Sequence, residues 1–241
     1  MLAQLAAFIK DPQNDFWGET VRTLYLSFVP IVLAIVISIP VGVAVAQRAL
    51  AAFLAANTSG LVRAIPTLAF LIAVVPYLGI GVRPSVVALT ILGIPPILLN
   101  TVAGLRGVDP AVVESARGMG MTGWQVLRRI RIPLMLPVLA AGVRTAAVQI
   151  VATVPIAAII GGGGYGDYIL KGINLLQLLP LYVGAGGIAL LALLVEIGLA
   201  GVQRAVTPAG LRLAEQKDVP VAEGPSSGGP GDYPTGQPAA A

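Results

Sequence analysis

The chain has 241 residues, 56% of them hydrophobic and only 11% charged, with a mean hydropathy of +0.89. A soluble domain carries about 25% charged residues, so this chain has too little polar surface to meet water on all sides and belongs in a bilayer. The formal charge is +4 with no Cys and no His, which removes disulfides, thiolate chemistry, the commonest metal ligand and the commonest general base. No catalytic residue, no metal site and no cofactor on this chain are expected. The basic excess is read as a topology signal rather than as nucleic-acid binding, because the Arg residues cluster at the ends of apolar runs.

A membrane helix needs about 20 mostly apolar residues. Five runs meet that need: about Leu24–Ala46, Ala64–Val82, Ser85–Leu105, Leu134–Ile160 and Leu179–Gln203. The Ala49–Ala56 run is too short to add a sixth. Met1–Ile9 has no basic n-region, so no cleavable signal is expected, and the first span serves as its own insertion signal. With the N-terminus outside, the inner segments carry Arg48, Arg63, Arg106, Arg117, Arg128, Arg129, Arg131, Arg204, Arg212 and Lys217. The outer ones carry Lys10, Arg22, Arg83 and Lys171, and ten against four favours N-out, C-in. The expected fold is an all-α integral membrane protein of about five transmembrane helices with a cytoplasmic helical hairpin. The organisation that follows is an external segment 1–23, a membrane domain 24–205 with its loop at 106–133, and a cytoplasmic tail 206–241. That tail is rich in Pro, Gly and Ser, cannot bury a core, and is expected to be disordered.

The longest loop lies between spans three and four. Asp109-Pro110 reads as an N-cap followed by proline at the first helical position. A short helix runs through Glu114 to about Gly118, and Gly118 and Gly120 interrupt it. Thr122-Gly123-Trp124-Gln125 has capping-box spacing, so a second helix starts near Gly123 and Pro133 ends it. Physics alone leaves two readings: a hairpin lying on lipid headgroups, or a docking element for a soluble partner.

The run Glu114-Ser115-Ala116-Arg117-Gly118-Met119-Gly120, continued to Ile130 and Pro133, resembles the EAA motif of ATP-binding-cassette (ABC) importer permeases. Glu stands first, Ala third, Gly seventh, Ile seventeenth and Pro twentieth; Ser115 replaces a second Ala, and Ile132 a Leu. The resemblance implies that the loop is the coupling helix that docks on a cytoplasmic ATPase. Glu114 and Gly120 would matter most, and Met119, Met121 and Trp124 would touch the partner. From about Trp17 to Arg204 the chain is similar to the osmoprotectant permeases, which handle glycine betaine, choline, carnitine and related quaternary amines. Arg63–Leu68, Leu78–Gly81, Glu114–Met121, Ala141–Thr145 and Ile160–Ile169 carry that similarity. It implies an external substrate-binding protein, a second permease copy (the same chain or a paralogue), ATP and Mg on the ATPase, and a place in the bacterial inner membrane. Methionine or another small solute is the alternative cargo. A self-contained secondary transporter is the alternative class, and it would need more membrane-embedded charge.

Polar residues inside the spans mark further candidates. Arg144 in span four and Glu196 in span five lie at comparable depths, so they either pair or line the path. Thr145, Gln149 and Thr153 recur every fourth residue on one face, as helix-packing glue or as the path wall. Asn100 in span three is a weaker candidate. Gly161–Gly164, with Asp167 after it, lacks the Gly-Lys-Ser/Thr of a phosphate loop and reads as a flexible external turn near a gate or a binding-protein contact.

Overall fold

The first long helix begins before its apolar run does. The computed structural model describes residues 2–207. In them α1 (Leu2–Lys10) and a 3-10 turn (Pro12–Asn14) lead into α2 (Phe16–Ala46), 31 residues long. In its polar first turns the hydroxyls of Thr20, Thr23 and Ser27 are satisfied within the helix, each donating to the carbonyl four residues back, at 2.7, 2.8 and 2.7 Å.

Next comes α3 (Ala49–Ala64), twice as long as the apolar run that was judged too short to span. It continues through Asn57 and Thr58, whose side chains donate to the Phe53 and Leu54 carbonyls at 2.9 and 2.8 Å. The second expected span, Ala64–Val82, is helical as α4 over only Thr67–Leu78. Pro66 sits at its start, and Gly79 with φ +78° follows its end. Twelve residues rise about 18 Å, well short of a hydrocarbon core of about 30 Å. Among the described residues, therefore, four helical runs rather than five are long and apolar enough to cross a membrane. They are α2, α5 (Val82–Arg106), the continuous run Gly123–Ile160, and α10 (Leu178–Val206).

The remaining elements are α6 (Pro110–Gly118), α7 (Gly123–Val126), a π turn (Leu127–Arg131), α8 (Ile132–Ala157), a 3-10 turn (Ala158–Ile160) and α9 (Tyr165–Asn174). No strand occurs among the described residues. Residues 208–241, where the disordered tail was expected, lie outside the described part.

The helices α5 and α8 are the centre of the bundle. α2 packs on α5, α5 on α8, and α10 on both α8 and α9. One buried cluster joins Leu26, Leu89, Ile150, Val151 and Val154 to Tyr165 and Tyr168 of α9. A second joins Ala34, Ile97, Val102, Met135, Leu139 and Ala146. Glycine sets the spacing where α5 meets α8: a Cβ on Gly93 would lie 2.7 Å from Ile150 Cδ1, and one on Gly142 2.5 Å from Asn100 Cβ. Such small residues let backbones approach where lipid offers no hydrophobic drive. Gly42 likewise faces Thr101, while Gly184 and Gly187 face Tyr165. On the outside, α2 and α10 present exposed apolar side chains such as Val32, Val36, Leu190, Leu193 and Ile197. That is the surface a bilayer requires.

Candidate functional site

The loop between α5 and α8 folds on itself. Asp109 caps α6 by accepting from the Ala111 N–H at 2.8 Å, with Pro110 at the first helical position. Both halves of the second cap are made: the Thr122 N–H donates to Gln125 Oε1 at 2.8 Å, and the Gln125 N–H donates to Thr122 Oγ1 at 3.4 Å. Between the helices Gly120 has φ +83°, a conformation that L side chains adopt only with strain. Val108, Val113, Ala116 and Val126 are buried against one another, with Met121, Ile130 and Leu134 packed on them. The EAA-like positions thus divide in two. Ala116, Met121 and Ile130 face this small core, while Glu114, Met119 and Trp124 face outward. Met119 and Trp124 are 73% and 66% exposed, large apolar groups that the described residues leave mostly uncovered.

Pro133 was expected to end the second loop helix, and the structure corrects this. The helix runs unbroken from Gly123 to Ile160, 38 residues. The turn ahead of the proline widens, with the Ile132 N–H bonding the Leu127 carbonyl five residues back. Proline has no N–H and crowds the carbonyl of the preceding turn; the wider turn accommodates it without breaking the axis. The loop is therefore mechanically continuous with the central helix α8.

Beside the loop, Gln47, Arg117 and Arg131 border two clefts of about 470 and 530 Å³, and the larger also meets Arg106 and Glu114. The Arg106 Nε donates to the Ala46 carbonyl at 3.2 Å, tying α5 to the end of α2. Arg131 Nε is buried with no hydrogen-bond partner among the described residues. Glu114 was expected to cap or pair with a nearby basic group. Among the described residues it makes no hydrogen bond and no ion pair, despite its three arginine neighbours on the cleft wall.

At mid-bundle α8 and α10 bring Arg144 and Glu196 together. Arg144 Nε donates to Glu196 Oε1 at 2.7 Å, and a second guanidinium nitrogen reaches the same oxygen. Arg144 Nη1 also donates to Gln203 Oε1 at 3.3 Å. The sequence reading missed Gln203, although it lies seven residues beyond Glu196 and hence on the same helical face. This trio opens on a cavity of about 580 Å³, whose walls include Thr145 and Gln149. The expected stripe therefore splits. Thr145 and Gln149 line the cavity, whereas Thr153 is buried and donates to the Gln149 carbonyl at 2.7 Å. Asn100 is not on the cavity wall; it donates to the Pro96 carbonyl at 2.8 Å and packs on Gly142.

The glycine turn before α9 is not the loose segment expected. The Gly164 N–H donates to Glu19 Oε2 at 2.5 Å, and the Tyr165 N–H to Thr23 Oγ1 at 2.8 Å. Tyr165 and Thr20 hydroxyls share a 2.8 Å bond, and the Tyr168 hydroxyl donates to the Asn14 carbonyl at 2.6 Å. Gly161 accompanies this lock from the other side, where the Gly81 N–H meets the Ile160 carbonyl at 2.8 Å. Burial pushes the Asp167 carboxyl above its ordinary range, against the opposing pull of Lys171 and Arg22. Burial, helped by Glu19, pushes the Tyr168 phenol up to about 12. The polar signals for this lock, Glu19, Thr20 and Thr23, were present in the sequence but lay outside the apolar span, where no partner could be assigned.

Comparison with known proteins places this architecture. The family described as "Binding-protein-dependent transport system inner membrane component" matches residues 34–208. A glycine betaine/carnitine/choline transport system permease of Bacillus subtilis, OpuCB, is 38% identical over 87% of this chain and 96% of its own length. The choline transport system permease OpuBB of the same species is 34% identical over 86% and 96%. The osmoprotectant import permease OsmW of Salmonella typhimurium is 37% identical over 80% and 92%. Among solved structures, an inward-facing methionine ABC transporter, MetNI, superposes with a TM-score of 0.73 at 23% identity, covering 83% of this chain and all of that one. That likeness establishes the fold. A helical membrane bundle with a self-contained loop, matched over most of its length by permeases of this kind, makes the chain a member of the binding-protein-dependent transport system inner membrane component family, the membrane-spanning subunit of an ABC importer.

Proposed function

We propose that this chain is the permease through which an ABC importer brings an osmoprotectant of the quaternary-amine class into the cytoplasm. The observation that carries the coupling half of this reading is the loop itself. It keeps its own core of Val108, Val113, Ala116 and Val126, so Glu114, Met119 and Trp124 are left for a partner. The partner is a cytoplasmic ATPase that supplies ATP and Mg, and α6 is the element that docks on it. The membrane domain 24–205 then lies N-out, C-in, with the external segment 1–23 and the glycine turn facing a substrate-binding protein and the tail 206–241 inside. Two permease copies, identical or paralogous, enclose the path, because one bundle of this size is too small to enclose it alone. Nucleotide shifts the pair between inward- and outward-facing states only to the extent that the ATPase binds them unequally. The unbroken helix from Gly123 to Ile160 would carry that movement from loop to path. The names of OpuCB, OpuBB and OsmW support glycine betaine, carnitine or choline as cargo over methionine, since the methionine transporter shares the fold at lower identity.

Tagged protein purified from native membranes, with and without Gly120→Asp, tests the reading when joined to uptake of labelled glycine betaine. Wild type is expected to bring down an ABC ATPase and to support uptake, and the variant to lose both. Intact wild-type protein that recovers no ATPase would overturn the coupling assignment. Recovery of an ATPase without uptake of any quaternary amine would overturn the cargo.

A further inference from the structure

We infer that Arg144 and Glu196 form a site for a zwitterion, in which the guanidinium takes the carboxylate of a betaine-type solute and the Glu196 carboxylate faces its quaternary ammonium. This rests on the osmoprotectant reading and adds a specificity to it.

Three observations carry it. The pair is not sealed into the helix contact. Its side chains keep 38% and 35% of their surface, and both open on the cavity of about 580 Å³. A cavity of that size lies in the usual range for small-molecule sites. The pair is also under-used as an ion pair. Both contacts between Arg144 and Glu196 converge on Oε1, and Oε2 has no partner among the described residues. A guanidinium fork fits two oxygens of one carboxylate in parallel, so a ligand carboxylate would satisfy it better than Glu196 does here. Finally, the charges are balanced. A zwitterion inserted between them gives each side chain an opposite charge and leaves the net charge of the site unchanged. A plain cation such as choline would take Glu196 and leave Arg144 without an anion at mid-bundle, where an unpaired charge is costly. The site therefore favours betaines over choline, and Gln203, which already accepts from Arg144, holds the guanidinium while the pair opens.

The test is equilibrium binding of labelled glycine betaine to the purified permease–ATPase complex, without binding protein, beside uptake by the complete transporter. Saturable binding is expected, displaced by unlabelled glycine betaine at concentrations at least tenfold below those of choline that displace it equally. The neutral pair Arg144→Gln with Glu196→Gln is expected to weaken binding at least tenfold while the ATPase still copurifies. Arg144→Lys, which retains the charge but not the fork, should weaken it about threefold and covers the case in which the double variant fails to assemble. Equal displacement by choline, wild-type binding by either variant, or no saturable binding in a complex whose complete transporter imports glycine betaine would each overturn the site and leave the proposed function standing. Absence of quaternary-amine import by the wild-type transporter would overturn both.

Discussion

The two ends of the bundle are built on opposite plans. At the α9 end, the glycine turn is fastened to α2 by Glu19 and Thr23, and Tyr165 and Tyr168 fill the space beneath it. At the loop end, a handful of small side chains hold α6 and α7 together, and the large ones, Met119 and Trp124, are turned away. The first end spends its polar and aromatic groups on its own chain; the second withholds them. Under the proposed coupling, the loop keeps its fold through this small core while α8, continuous with it, carries the movement.

Two glycines with nearly the same positive φ make the comparison sharp. Gly164 has φ +80° with Thr23 Oγ1 2.7 Å from where a Cβ would sit; Gly120 has φ +83° and nothing within 4 Å. Gly164→Val adds overpacking of about 1–3 kcal/mol to a backbone cost of about 1–3 kcal/mol, because φ +80° with ψ −163° is essentially a glycine-only region. Thermal unfolding in detergent should show the largest loss here, and a wild-type midpoint would refute the locked turn. Gly120→Val carries only the backbone cost, about 1–2 kcal/mol. It is expected to fold and to lose the copurifying ATPase, so full recovery of that subunit would blur the contrast.

Smaller changes test each end separately. Tyr168→Phe removes the bond to the Asn14 carbonyl, about 0.5–1.5 kcal/mol. The folded phenol is raised to about 12 from its ordinary 10.0, so the folded state holds this proton more tightly than the unfolded one. Stability from this group is complete below pH 10 and falls as pH rises toward 12. Unfolding midpoints measured across that window should slope less in Tyr168→Phe than in wild type; parallel slopes would assign the alkaline loss elsewhere. Trp124→Ala is the gentlest change for the chain alone, within about 0.5 kcal/mol as for an exposed site. Its expected effect is weaker ATPase recovery at an unchanged unfolding midpoint.

Much of this was legible in the residues because bilayer and helix geometry are strict. Apolar length marked five runs, and four of them are full helical runs in the described residues. The Asp109 and Thr122 caps were visible as spacing, since a cap is a local hydrogen bond. Equal depth along two helices brought Arg144 and Glu196 into one frame, and the side chains meet there. Local rules misled where a local cost was met by wider geometry. Pro133 reads as a helix stop, yet a π turn absorbs it. Ala64–Val82 reads as a full span, yet Pro66 and Gly79 confine its helix to Thr67–Leu78. The EAA-like pattern marked the loop without dividing inward residues from outward ones, because that division depends on which faces of α6 and α7 close on each other.

What the sequence by itself determined is the class of environment and the periodic order within it: a bilayer chain, its long helices, its capped loop and the depth of its charges. These follow from composition, from length at a fixed rise per residue, and from hydrogen bonds between near neighbours. Only the tertiary structure decided that Ala116 and Ile130 face inward while Met119 and Trp124 face out, that Thr145 and Gln149 share a cavity while Thr153 is buried, and that the glycine turn is fastened to α2. Each of these depends on residues far apart in the chain, up to 145 positions for Glu19 and Gly164. Side-chain periodicity assigns a residue to a face, but only packing says what that face meets.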